Sequence, residues 1–410
     1  MGKMQLAINS LLGESLKVNT RRSLHLPRRQ VVRGILATTA FGVTSQFWSG
    51  CTSGTKSQGR PGGEGKPIVI GFLYVGAKDD YGYNQAHAEG KEAVAKLGWV
   101  KTVAQANVPE TTDVQEAMRN MIEQDGATVL FPTSFGYFDP HILKIAQDYP
   151  DVQFFHYSAL YQEGKTPKNI GNYFGDVDEA QYIAGRVAAQ TTKTGKLGFV
   201  GAKPITPVLR NINGFMLGAR SVNPKITMQV IFTGDWSLPV KEAEAVNSLA
   251  DQGVDVIGVH VDSPKVVIET AQKRGIFSSG FHTVQSALAP KGYLTGTAWD
   301  FPSVYTNYAQ MLRSGKTLMN GGIPHLIRGG LKEKFVKLAP YGAAVSEATK
   351  KDAQATKAKA LDGTLAIYKG ELKDNTGKAV IPAGKQLKLT DTQLDKTDWL
   401  AEGVIGKVSS

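Results

Sequence analysis

At 410 residues, with 41% hydrophobic and 20% charged residues, the chain is long enough for two ordinary globular domains, each with its own core. Its one cysteine, Cys51, excludes an intrachain disulfide and a Cys-rich metal site. The formal charge of +11 invites a polyanion reading, but seven of the 47 basic residues and one of the 36 acids lie in the first 50 positions, which leaves +5 for the rest. No Arg/Lys-rich helix appears in that remainder, so nucleic acid is not an expected partner.

In chain order, residues 1–51 read as an export signal. A basic segment closes on Arg28-Arg29-Gln30-Val31-Val32-Arg33, and an apolar run from Gly34 to Val43 follows, too short to span a bilayer. The paired arginines resemble a twin-arginine signal, with the general secretory route left open. Trp48-Ser49-Gly50-Cys51 places small residues before the only cysteine, as at a lipoprotein cleavage site, although an aliphatic residue is usual where Trp48 stands. The expectation is lipidation at Cys51 and a membrane-anchored protein on an extracytoplasmic face. The bland alternative is a buried helix and an inert thiol. Residues 52–65 are rich in Gly, Ser and charge and predict a flexible tether.

From Lys66 onward, short apolar runs alternate with helical patterns, as in repeated βαβ units. Strands are predicted at Ile68–Val75, Val100–Ala106, Thr128–Thr133, Gln153–Ser158 and Asn169–Phe174. A second set falls at Leu197–Gly201, Ile226–Phe232, Val254–His260, Ile276–Gly280 and Tyr293–Thr297. Between them, Val114, Met118, Met121 and Ile122 share one face of a helix over Thr112–Gln124, with Thr112 and Gln115 spaced for a capping box. A second helix starts at Pro207, and two more, Leu238–Gly253 and Pro264–Gly275, end on glycine stops. Two sets of five strands predict an α/β fold of two Rossmann-like lobes with a hinge and a ligand cleft between them. Lobe 1 is expected at 66–176, completed by about 303–320. Lobe 2 is expected at 177–300, completed by part of 321–410.

Ligands of open α/β sheets sit outside the carboxyl ends of the strands. The loop after the first strand carries Asp80, Tyr83 and Asn84 at such an end, and Ser134 and Phe135 follow the third strand. Trp236, Asp262, His282 and Trp299 lie at equivalent edges of the second set. Each has a structural alternative. Asp80 and Asn84 are good helix caps, Tyr83 can be a packed aromatic, and Trp236 and Trp299 can brace a hinge. Asp262 is either satisfied by Ser263 and nearby N–H groups or meets the ligand, since an unpaired buried carboxylate is costly. A lone histidine such as His282 is more often structural than a ligand contact. No G-x-S-x-G elbow, P-loop or i, i+4 histidine pair is present, so no catalytic residue, metal site or cofactor is expected and the chain does not read as an enzyme.

Seven short motifs together resemble the basic membrane protein family of substrate-binding lipoproteins, relatives of the purine-nucleoside receptors of ABC transporters. They are Asp79 to Gln85, Thr133 to Tyr137, Gly195 to Val200, Arg210 to Phe215, His260 to Pro264, the leader with Cys51, and Asp398 to Val404. The resemblance implies a type I periplasmic-binding-protein fold that closes on its ligand, with a permease and an ATPase as partners. In the nucleoside receptors an aromatic of the first loop stacks on the base and the next Asn bonds its edge, roles that carry over to Tyr83 and Asn84. Those receptors also hold ribose with acids after the strand that ends here at Gly280, where this chain has Phe281-His282-Thr283. Losing such charge-assisted bonds forfeits ~1.5–3 kcal/mol. The expected ligand is therefore a purine base or related small heterocycle, enclosed by Tyr83, Phe135, Trp236 and Trp299. A nucleoside receptor and a membrane-tethered sensor that signals to a partner protein are the alternatives.

Overall fold

The computed structural model describes residues 66–408, so the expected signal, the tether and Cys51 lie outside the described residues. The first five strands, β1 (Ile68–Leu73), β2 (Val100–Gln105), β3 (Val129–Pro132), β4 (Gln153–Tyr157) and β5 (Ile170–Gly175), are all parallel to their neighbours in the first sheet. Helices α1 (Tyr83–Ala95), α2 (Asp113–Glu123) and α3 (Leu143–Asp148) connect them. The chain then enters α4 (Asp178–Thr191) and builds a second parallel set: β6 (Lys196–Gly201), β7 (Thr227–Phe232), β8 (Val256–His260), β9 (Phe277–His282) and β10 (Tyr293–Trp299). Its crossover helices are α5 (Thr206–Val222), α6 (Pro239–Asp251) and α7 (Lys265–Lys273). Near-continuous burial along β3, β8 and β10 is what strands covered by helices on both faces require.

The chain crosses between the sheets three times. It leaves the first after β5, and after β10 it returns through α8 (Phe301–Arg313), which packs on α1 and leads to β11 (Leu326–Gly329), parallel to β5 at the edge of the first sheet. Then β12 (Val336–Leu338) pairs antiparallel with β10 in the second. The orders are β11-β5-β4-β3-β1-β2 and, with β15 (Val404–Ile405) at the far edge, β12-β10-β9-β8-β6-β7-β15. In each sheet the order reverses beside the first strand of the set, which opens a crevice at the carboxyl ends.

Helices α4 and α5 pack with their backbones in close approach. A Cβ at Gly185 would stand 1.9 Å from the Phe215 carbonyl oxygen, and one at Gly218 would stand 2.0 Å from that of Tyr182. Helix α9 (Glu347–Leu361) opens with a Ser346 cap that accepts the Thr349 N–H. Beyond it, β13 (Leu372–Lys373) and β14 (Ala379–Ile381) form a hairpin with its own small core of Ile367, Tyr368, Leu372, Ile381, Leu387 and Leu394.

One local expectation is corrected. Thr112 precedes α2 but makes no side-chain cap, because its backbone is already helical there. Gln115, assigned to the other half of the capping box, is buried against His141, with Nε2 to Nδ1 at 2.9 Å. Tertiary packing claims the amide before the cap can. Among the described residues no helix is long and apolar enough to cross a membrane.

Candidate functional site

The carboxyl ends of both sheets face one cleft, about 730 Å³ with its open mouth included. From the first sheet come Ser134 and Phe135 after β3, Tyr157 at the end of β4, and Phe174 and Gly175 at the end of β5. From the second come Trp236 after β7, His260 and Asp262 at the end of β8, Phe281 and His282 in β9, and Trp299 closing β10. Tyr83 from α1, Val177 and Asp178 at the start of α4, and Ile205, Pro207 and the Arg210–Asn211 turn of α5 complete the lining. Seven of the nine expected ligand-binding residues, Tyr83, Ser134, Phe135, Trp236, Asp262, His282 and Trp299, are thus brought together.

Their chemistry is uneven. Phe135 is 40% exposed, a large aromatic offered to the cleft rather than to a core. Ser134 donates its hydroxyl to Glu110 Oε1 at 2.5 Å and is committed. Tyr83 donates its hydroxyl to the Thr133 carbonyl at 2.6 Å, so only its ring serves the cleft. His282 accepts from Trp299 Nε1–H through Nδ1 at 2.8 Å and donates Nε2–H to the Val261 carbonyl at 3.1 Å. Both its nitrogens are spent, and burial holds its pKa well below the ordinary imidazole value. Its φ of +74° is the left-handed region that few non-glycine residues adopt, a cost accepted where this two-sided bond fixes the ring. Trp299 in turn stacks on Phe301, with ring centroids 5.4 Å apart.

Among the polar groups of the wall that remain uncommitted are those of Asp262, Asn211 and His260. The Asp262 carboxyl has no hydrogen bond or ion pair among the described residues. Ser263, its candidate partner, donates instead to the Asp80 carbonyl at 2.6 Å. Burial, with Asp80, Glu110 and Asp235 nearby, raises the Asp262 pKa well above the carboxylate range. Asn211 bonds His260 Nδ1 through Nδ2 at 2.7 Å, which leaves its buried Oδ1 without a partner. With Nδ1 as acceptor, His260 is the Nε2–H tautomer, and burial lowers its pKa to about 3. Among the described residues Arg210 is the only cation on the wall, and it is held by Asp178, Asp176 and Asp395.

Two residues stand elsewhere. Asp80 accepts N–H groups from Gly82, Asn84 and Gln85 at 2.8, 3.1 and 3.0 Å, and the Asn84 amide at 2.8 Å. Asn84 Oδ1 accepts the Gly76 N–H at 3.2 Å. Both are absent from the cleft wall: Asp80 spends both oxygens on the start of α1, and the Asn84 amide is engaged with Asp80 and the Gly76 N–H. The edge-reading role expected of Asn84 is corrected accordingly. Asn211, with its free oxygen, is the amide on the wall.

The family model described as an ABC transporter substrate-binding protein, PnrA-like, matches residues 68–371. The chain belongs to this family. It is 35% identical over 343 residues to a purine-binding protein from Brucella abortus, covering 83% of this chain and 94% of that one. A putative ABC transporter glucose-binding protein from Haloferax volcanii is 32% identical, with 78% and 80% covered. Among solved structures, ABC solute-binding proteins from Conexibacter woesei and Aeropyrum pernix K1 align with TM-scores of 0.59 and 0.60 at 20% identity. They cover 73% and 75% of this chain and 97% and 93% of theirs. At that identity the likeness establishes the fold alone, a two-lobed α/β architecture. Family members are receptors of ABC transporters and not enzymes. They act outside the cytoplasm, where they pass a small molecule to the other transporter components.

In this receptor, reading by residue type overlooked Tyr157, Phe174, Asn211, His260 and Phe281 as cleft residues. Asn211 and His260 sat in quoted motifs, and the signal that could have found them was position. His260 ends a strand at its carboxyl edge, and Asn211 stands one turn into the helix that follows β6. Among the described residues, no group of three His, Cys, Asp or Glu is placed to hold a metal.

Proposed function

We propose that the receptor binds a purine base or a related small heterocycle between its lobes. The observation that carries this reading is the wall itself. Aromatic rings from both lobes, Phe135, Tyr157 and Phe174 on one side and Trp236, Phe281 and Trp299 on the other, surround a few polar atoms suited to a heterocycle edge. Stacking needs only a π face, while Asn211 Oδ1, His260 Nε2–H and Asp262 supply directional bonds. His282, where the nucleoside receptors are expected to carry ribose acids, has no free nitrogen to offer a sugar. The purine-binding relative from Brucella abortus supports the same ligand class. Lobes 66–176 and 177–300, with the later returns of the chain, close over the ligand by hinge motion at the three crossings.

Calorimetric titration with adenine, guanine, adenosine, guanosine and glucose tests the reading. The bases are expected to bind most tightly. Nucleosides or glucose binding better than both bases would sink it. The receptor is further proposed to be held at the membrane through a lipid on Cys51 and to deliver its ligand to a permease and its ATPase. Cys51→Ala should then move the protein from the membrane to the soluble fraction, and unchanged fractionation would count against the anchor.

A further inference from the structure

The uncommitted Asp262 carboxyl has a consequence for ligand choice that rests on the reading above. Acids and bases around it come from every side: Asp80 of the first loop, Glu110 before α2, Asp235 and Lys203 of the second lobe, and the neutral rings of His260 and His282. None of them bonds it. Lys203 is engaged with Asp235 at 2.8 Å. Ser263 faces Asp80, and the backbone of Asp262 is tied on both sides, its N–H donating to the Trp236 carbonyl and its carbonyl accepting the Tyr83 N–H, each at 2.8 Å. The side chain is therefore held in place by its backbone with its oxygens unspent, the arrangement of a group awaiting a donor. The other acid on the wall, Asp178, is spent on Arg210 and on the Tyr368 hydroxyl. Arg210 itself, 3% exposed and enclosed by three carboxylates, has no charge left for a ligand anion.

We propose that Asp262 is the specificity-determining residue of the cleft: it accepts paired N–H donors from the edge of an uncharged heterocycle, and with Arg210 already neutralised the site refuses anionic ligands. Adjacent ring and exocyclic N–H groups match the two oxygens of one carboxylate, as on the N1–H and N2–H₂ edge of guanine. Adenine presents one such donor beside an acceptor and fits less well. Urate, similar in size but anionic at neutral pH, meets only negative or neutral walls.

The sign of the pH dependence follows. Free Asp262 keeps its proton to a higher pH than an ordinary carboxyl group, while a ligand that donates two N–H groups requires the carboxylate. Binding then releases a proton, and affinity rises with pH, by at most about tenfold per unit.

Guanine, adenine and urate are titrated into wild-type and D262N receptor between pH 5.5 and 8 by tryptophan fluorescence. Calorimetry in two buffers of different ionisation enthalpy counts protons. Wild type is expected to prefer guanine, release a proton on binding it, and ignore urate. D262N, near-isosteric and checked for an unchanged melting temperature, should lose about tenfold or more on guanine and lose the proton release. The wild-type proton count needs no variant, so it stands even where D262N misfolds. Affinity that is flat or falls with pH, urate binding as tightly as guanine, or D262N binding guanine like wild type each overturns this inference and leaves the purine reading standing. Failure of wild type to bind either base at any pH overturns that reading and this inference with it.

Discussion

His282, Trp299, Asp80 and Asn84 show how little of a side chain's role is settled by its type. The imidazole and the indole spend their polar atoms on each other, and the carboxylate and the amide spend theirs on the start of α1. In four of the buried imidazoles, His87, His156, His260 and His282, burial lowers the pKa, to about 4 for His156 and about 3 for His260. The unfolded chain takes up protons at these positions below about pH 6.5, where the folded protein does not. Their stabilisation is therefore complete above that pH and shrinks as pH falls toward the folded values, by about 1.4 kcal/mol per unit for each imidazole. In an NMR titration, the rings of His156 and His260 are expected to stay neutral from pH 8 to 5. A midpoint above pH 5.5 for either would contradict the assignment.

At the level of elements, the loop before α1 joins the lobes rather than walling the cleft. The Tyr83 N–H reaches the Asp262 carbonyl at 2.8 Å. Thr283 Oγ1 and Gln285 Nε2 both donate to the Tyr81 carbonyl, at 2.9 and 2.8 Å, and Ser263 holds the Asp80 carbonyl. Tyr81 adopts φ +57° to present its carbonyl this way. Gly82 is required at the seam, since a Cβ there would stand 1.8 Å from the Asp262 carbonyl oxygen. Gly82→Ala is expected to hold the lobes apart without unfolding either one. Ligand affinity should drop about tenfold or more, because the closed, binding-competent population shrinks, and small-angle scattering should show no compaction when ligand is added. Compaction equal to wild type would count against the seam. The strands themselves were legible, because apolar runs bounded by Gly and Pro are a local signal. The seam was not, because its partners lie about 180 to 200 residues apart in sequence.

Across the whole molecule, the side of the cleft near the chain crossings is closed by a network of charges. Arg210 of α5 and Arg328 of β11, from different lobes, share Asp176 and Asp395, while Asp178 accepts Arg210 and the Tyr368 hydroxyl. The C-terminal segment is thereby bound to both lobes, its Leu389 carbonyl accepting from each arginine. Asp176 and Arg210 are almost wholly buried, whereas the Asp395 side chain is 33% exposed. Removing Arg210 would leave buried Asp178 with no cation and only the Tyr368 hydroxyl, and Asp176 with Arg328 alone, so Arg210→Ala is expected to cost about 3–5 kcal/mol in denaturant unfolding. Asp395→Asn, at the solvent end, should cost about 1 kcal/mol or less. Equal losses would show that burial does not govern the network.

The two-lobed α/β architecture, the positions of the ten central strands and the family were all legible in the residues, because periodicity and short ordered motifs are local properties of a chain. The tertiary structure alone decided which polar atoms stay free in the cleft. Asn84 and Asn211 carry the same amide and both fall near helix starts. One is consumed by Asp80 and Gly76, the other is left with an open oxygen, and the difference lies in neighbours the fold supplies from elsewhere.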